Sequence, residues 1–135
     1  MTRELTSHKV NGCNESLRIE VLDEIGSGGA HHLYQITGFN SESNVSNPWV
    51  DRPRSIPEYS TILFQNGPIQ EVGVNGLTHE ALLAIVIDRL QCFQAGQYAC
   101  RENAIALTKL EEAVMWLKKR TSDRIARGVE GTHVK

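Results

Sequence analysis

The chain has 135 residues and a mass of 15.0 kDa, enough for one domain with a small appendage but not for two full cores. Fourteen Lys and Arg against sixteen Asp and Glu leave a net charge of −2 and a pI near 6.2, which excludes a strongly basic nucleic-acid binder and a polybasic membrane-surface protein. Apolar residues make up 40% and charged residues 22%, so the composition is neither that of a disordered chain nor that of a supercharged one.

The longest apolar run, residues 81–87, falls far short of the ~20 residues that a membrane span requires. The first ten residues carry Arg3, Glu4, His8 and Lys9 without an apolar stretch, so no secretory signal is expected. Cys13, Cys92 and Cys100 are odd in number and lack C-x-x-C spacing; they read as reduced thiols of a cytosolic protein.

Strand signals come first along the chain. Residues 16–24 alternate, with Leu17, Ile19 and Val21 on one face and Arg18 and Glu20 on the other, as in a half-buried strand. The run Gly26-Ser-Gly-Gly29 interrupts the pattern, and residues 32–38 resume it, so the two strands form a wide hairpin. Residues 40–59 hold Pro48, Pro53 and Pro57 among many Ser and Asn and read as a loop. Residues 60–65 are a third strand and residues 69–74 a fourth, each ended by an Asn-Gly turn at Asn66-Gly67 and Asn75-Gly76.

From Leu77 the apolar period changes from two to about 3.6. Thr78 is an N-cap, and Leu77 and Leu82 stand at the spacing of a hydrophobic staple. Leu82, Leu83, Val86, Leu90 and Phe93 form the stripe of a first helix, which Gly96 ends in a left-handed cap. A second helix spans about 100–127, with Leu107, Leu110, Val114 and Leu117 as a coiled-coil-like seam. The short connection folds the two into an antiparallel hairpin. The reading is an α+β fold: a small antiparallel sheet in the N-terminal half packed on a C-terminal two-helix hairpin. Residues 1–76 form the β-rich part, 77–128 the hairpin and 129–135 a flexible tail, in one compact domain. The hairpin carries more apolar side chains than it can hide, Met115 and Trp116 among them. Part of that surface is expected to meet the sheet and the rest another subunit.

A catalytic set is hard to assemble. His31 and His32 are adjacent and point to opposite faces of a strand, and no H-x-x-x-H, H-E-x-x-H or Cys/His cluster is present, so no zinc site is expected. Cys92, near the apolar stripe, reads as a packing thiol. Glu111 and Glu112 are helix neighbours about 100° apart and do not face each other as an acid/base pair. The glycine run 26–29 lacks the following helix of a dinucleotide fingerprint and reads first as a hairpin turn, with anion binding by its N–H groups as the alternative.

Charge is uneven: residues 101–127 hold seven basic and four acidic side chains, a surplus on a chain that is acidic elsewhere. The run 118–127 reads as a solvated helix face that suits the helix dipole. Arg101 stands at the start of its helix, where it opposes the dipole but completes an anion site. Surface Arg and phosphate contact are both open on these grounds.

Several stretches together resemble the phage Thoeris anti-defence sponge family. They are Phe64-Gln-Asn-Gly-Pro-Ile69, Glu71-Val-Gly-Val-Asn-Gly76, Leu82-Leu-Ala-Ile-Val-Ile-Asp-Arg-Leu90, Ala99-Cys-Arg-Glu-Asn103 and Ala106-Leu-Thr-Lys-Leu-Glu-Glu-Ala-Val-Met-Trp116. The last two also resemble the helical hairpin of phage anti-CBASS sponges. The resemblance covers residues 60–127 and touches the N-terminal sheet only loosely.

It implies a non-enzymatic protein of the host bacterial cytoplasm that sequesters small cyclic nucleotide signals, glycocyclic ADP-ribose and in some members cyclic oligonucleotides. It implies a homo-oligomer, dimer or hexamer, with no cofactor, no metal, no nucleic-acid partner and no membrane. Such a ligand asks for cations, an aromatic face and amide edges. Phe64 for base stacking, Gln65, Asn66 and Asn75 for ribose or base edges, Arg101 for phosphate with Thr108 as its hydrogen-bonding helper, Arg89 as a cation in reach of the pocket and Asn103 as a further candidate meet that need. Each has a plain alternative: core packing for Phe64, turn formation for Asn75, a surface ion pair for Arg89. Two other classes are a phage assembly protein and a phosphodiesterase of the same signals.

Overall fold

The alternation in the N-terminal half produces an antiparallel meander. The structure, a computed structural model, describes residues 2–48 and 58–135, and its contacts divide the chain into two units, Met1–Asn66 and Gly67–Lys135. In the first unit β1 (Arg3–Leu5), α1 (Gly12–Glu15), β2 (Arg18–Val21), β3 (Leu33–Thr37) and β4 (Ser60–Leu63) follow in order, and the sheet order is β1-β2-β3-β4 with every pair antiparallel.

Register separates the faces. Leu5, Ile19 and Ile36 form one cross-strand row and Val21, Tyr34 and Ile62 the next, on a single apolar face. Among the described residues Val21 is the fully buried apolar side chain, 1% exposed. The other face carries Glu4, Glu20, Gln35 and Thr61 in one row. Two glutamates directly opposite would repel. Arg18 relieves them, with its Nε 3.4 Å from Glu20 and 4.0 Å from Glu4, and Lys9 lies 3.7 Å from Glu4.

One expected strand is a helix. Residues 69–74 form not a fourth strand but α2 (Ile69–Val72), because Pro68, at φ −69°, sets the entry of a helical turn and Gly73 closes it. The fourth strand of the sheet is β1, three residues long and too short to show alternation. Part of the expected loop 40–59, residues 49–57, lies outside the described residues. Its two described flanks are joined where the Ser41 N–H donates to the Glu58 carboxylate at 2.9 Å and the Ser41 hydroxyl donates to the same group.

The second unit is built on α3 (His79–Ala95) and α4 (Arg101–Ala126), which pack together as a hairpin. Thr78 caps α3 by accepting from the Ala81 N–H at 3.1 Å. Gly96 ends α3 with φ −113°, an extended conformation rather than the left-handed one expected. The connection is held instead by the Gln94 side chain, which accepts from the Cys100 N–H at 3.0 Å. Half-buried Leu83, Ile87 and Leu90 on α3 face a seam of Leu107, Leu110, Val114 and Leu117 on α4. Val86, expected in the stripe, is 45% exposed, and Ile87 takes the place.

Residues 129–134 fold back rather than trail. The Arg124 guanidinium donates to the carbonyls of Val129, Thr132 and Val134 at 2.9, 3.1 and 2.6 Å and to the Glu130 carboxylate at 3.2 Å. From α2, Gln70 donates its side-chain amide to the Glu130 carbonyl at 2.9 Å and its N–H to the Gly131 carbonyl at 3.3 Å. A Cβ at residue 131 would stand 2.8 Å from Ile69, so only glycine permits this approach.

Gly38 follows β3 at φ 92°, and a Cβ there would lie 1.8 Å from the Ser16 carbonyl oxygen. Gly38→Ala is therefore expected to lower unfolding stability by ~2 kcal/mol or more, combining backbone strain with a backbone clash. Chemical denaturation of the two proteins checks this.

Candidate functional site

In the first unit the candidate residues leave β4 together. The Phe64 N–H donates to the His32 carbonyl at 2.8 Å, extending the β3–β4 pairing by one step. Its half-buried ring meets Tyr34 edge-on, with centroids 5.7 Å apart and planes at 88°. Gln65 is half-buried beside it. The Asn66 side-chain oxygen accepts from the Ser27 N–H at 3.4 Å, tying the glycine loop to the end of β4. That loop is a tight 3-10 turn at Ser27–Gly29, and the Gly26 and Gly29 N–H groups donate to the carbonyls of Ala30 and Gly26. It serves as the connection of the β2–β3 hairpin.

Asp23 organises the same corner. Its carboxylate accepts from the His32 N–H at 2.9 Å and the Leu33 N–H at 3.0 Å, and its own carbonyl stands 2.7 Å from His31 Nδ1. His32 is 5% exposed, with Nδ1 3.8 Å from the Asp23 carboxylate. The two histidines thus both converge on Asp23, a residue the sequence reading did not single out. Among the described residues no group of three or more His, Cys, Asp or Glu is placed to hold a metal ion.

In the second unit Arg101 is the first residue of α4, and Cys100 caps the helix by accepting from the Asn103 N–H at 3.4 Å on its sulfur. Arg101 is exposed and, among the described residues, makes no ion pair. Thr108 lies seven residues on, just short of two turns, so it shares the exposed face of Arg101. Asn103 does not: it is half-buried, and its spacing to Leu107 and Leu110 puts it on the side of the α4 seam. Arg89, exposed on α3, places its guanidinium 5.0 Å from the centroid of the Phe93 ring, a cation–π pair that holds the charge on the outer helix face. Asn75 is exposed in the loop between α2 and α3.

The candidates therefore divide between the units. Phe64, Gln65 and Asn66 belong to the first; Asn75, Arg89, Arg101, Asn103 and Thr108 belong to the second. The expected packing of Cys92 is not observed, since all three cysteines are exposed. Trp116, read from the sequence as surplus apolar surface, and Lys119, Arg120 and Asp123, read as a solvated helix face, line one open groove with Arg124, Arg127 and Lys135. Their i, i+3, i+4, i+7 spacing was the available signal.

These features define an α+β protein whose C-terminal half is a helical hairpin with exposed cations on its outer faces. Residues 57–122 match the family model described as Acb2/Tad1, hairpin domain, and all eight candidate residues lie inside that span. Over 76 residues the chain is 60% identical to "Thoeris anti-defense 1" of Bacillus phage SBSphiJ7, a match that covers 56% of this chain and 54% of that relative. The chain thus spans about half the length of the curated relative it matches. Its residues 57–122 thus resemble the Acb2/Tad1 hairpin domain, in keeping with the family that its motifs resemble.

The Asp23 carboxylate is held below its ordinary value of 3.8, chiefly by the Leu33 N–H, with burial opposing and the His32 N–H reinforcing the effect. Its stabilising contribution is complete above the unfolded-state value and is lost as pH falls through the lower folded-state value. The native protein is therefore expected to lose stability on acidification below the ordinary carboxylate range more steeply than Asp23→Asn. Denaturation midpoints measured across that range for both proteins check the difference.

Proposed function

We propose that this protein is an anti-defence sponge, which binds small cyclic nucleotide signals such as glycocyclic ADP-ribose and returns them chemically unchanged. The supporting observation is the position of Arg101: inside the matched hairpin domain, at the first turn of a 26-residue helix, exposed and without an ion pair among the described residues. The N–H groups of a helix start and the guanidinium act in the same direction on a phosphate. Thr108 stands on the same face to hydrogen-bond the ligand, and Arg89 supplies a second exposed cation. Phe64 offers a ring edge already braced by Tyr34, with Gln65, Asn66 and Asn75 as amide partners for ribose or base.

Sequestration needs affinity and slow release, not stabilisation of a transition state. The named relative is an anti-defence protein against Thoeris, and the same role is proposed here, extending to cyclic oligonucleotides of CBASS, in the cytoplasm of the infected host. Ile85 and Val86 on α3 and Ile105 on α4 are 67%, 45% and 41% exposed, and we assign that apolar surface to a homo-oligomer, dimer or hexamer.

The test is capture and release. The protein is mixed with glycocyclic ADP-ribose, filtered away from free ligand and then heated. Depletion followed by return of intact ligand is the expected result. Altered products would show turnover, and no depletion would favour a purely assembling phage protein. Arg101→Ala is expected to weaken capture by ~1.5–3 kcal/mol, ~10- to 150-fold, the size of a charged hydrogen bond. Equal capture by the variant would remove Arg101 from the site.

A further inference from the structure

The α2 helix is too short to stand by itself. It has four residues, its N-cap Pro68 makes no side-chain cap bond, and none of its residues is buried, with Ile69 46% and Val72 50% exposed. Forming a single helical turn loses more chain entropy than its few bonds offset, so contacts with other segments must hold it. Residues 130–133 supply such contacts. The Gln70 N–H and side-chain amide donate to the Gly131 and Glu130 carbonyls, and the Ile69 side chain fills the space that a Cβ at residue 131 would need. His133 Nε2 lies 3.2 Å from the Glu71 carboxylate, but with side chains 66% and 60% exposed this pair adds little.

The segment 129–134 is itself no regular element, and its path is set from α4. Three of its carbonyls and the Glu130 carboxylate converge on the Arg124 guanidinium, whose side chain is 13% exposed. A planar fork of N–H donors serves acceptors in several directions at once, which the compact charge of a lysine does not. Without it the carbonyl oxygens would face the Glu130 carboxylate with no cation between them. Support thus runs from Arg124 to the segment 129–134, from there to α2, and from α2 to the loop 73–77. The other end of that loop is fixed by the Thr78 cap of α3. Asn75 lies in the loop, far from Arg124 in sequence.

We propose that residues 129–134 are a strap, buckled by Arg124, that fixes α2 and the Asn75 loop, so that Arg124 is a positioning residue for the contacts of Asn75. For its effect on ligand capture, and there alone, this rests on the reading of Asn75 as a ligand contact.

Amide hydrogen exchange of the full-length chain, native and Arg124→Met, reads the strap without ligand. The N–H groups of Gln70, Val72 and Gly73, bonded to the carbonyls of Gly131, Pro68 and Ile69, are expected to exchange ~10-fold faster in the variant. Residues 83–90 and 107–117, along the seam, are expected to keep their rates. Gly131→Ala attacks the same joint from the other side, setting a Cβ at φ 78° against Ile69, and is expected to do the same with Arg124 intact. Unchanged exchange at 70–73 in either variant overturns the proposal, and so does an equal rise along the seam, the mark of general destabilisation. With glycocyclic ADP-ribose, Arg124→Met is expected to weaken capture ~10-fold and to add nothing to the loss caused by Asn75→Ala. Additive losses overturn the positioning role, because a weakened fold or a lost charge lowers capture independently of Asn75. Should Asn75→Ala capture as well as the native chain, Asn75 leaves the site, and the exchange rates alone uphold or overturn the strap.

Discussion

Two helices packed side by side can bury one stripe each, and that limit governs the C-terminal half of this protein. Leu83, Ile87 and Leu90 against Leu107, Leu110, Val114 and Leu117 use up the shared seam, and no residue of α3 or α4 is fully buried. Most other residues of the two helices are exposed. Arg101, Thr108 and Arg89 are exposed because the seam turns them away from the partner helix, whereas Asn103 is half-buried. The apolar surplus at Ile85, Val86 and Ile105 has the same origin.

In the first unit the constraint is electrostatic rather than hydrophobic. A four-stranded meander with one fully buried apolar side chain among the described residues has little core to rely on. Its turn is held by Asp23, which satisfies two backbone N–H groups at the start of β3, and its polar face sets Glu4 beside Glu20 under the charge of Arg18 and Lys9. The same corner brings Phe64 to Tyr34 and Asn66 to the glycine turn. A ring held edge-on by its neighbour keeps a fixed orientation, which suits stacking better than a mobile side chain.

Sequence reading located three of the four strands and both long helices because each rests on a local signal: alternation in 16–24, 32–38 and 60–65, the Thr78 cap, and the 3-4 spacing of the α4 seam. Residues 69–72 misled it, since Ile-Gln-Glu-Val fits a strand as well as a helical turn. Pro68 and the contacts of Gln70 with Glu130 and Gly131 decide the matter. For the candidate site, Arg101 and Thr108 were legible as a pair because helical spacing alone puts them on one face. Asn103 was not, because a two-residue step carries no information about which side the partner helix occupies.

Local chemistry along the chain therefore determined three strands, the two long helices, the Thr78 cap and the side chains able to meet an anion, because these depend on residues a turn or a hairpin apart. Tertiary structure decided the rest: that β1 closes the sheet, that Asp23 gathers two histidines, that Arg124 serves the tail, and that Val86 and Cys92 face outward. Each of these joins groups five or more residues apart, or depends on the direction from which a neighbouring helix approaches. Neither is written in a local pattern.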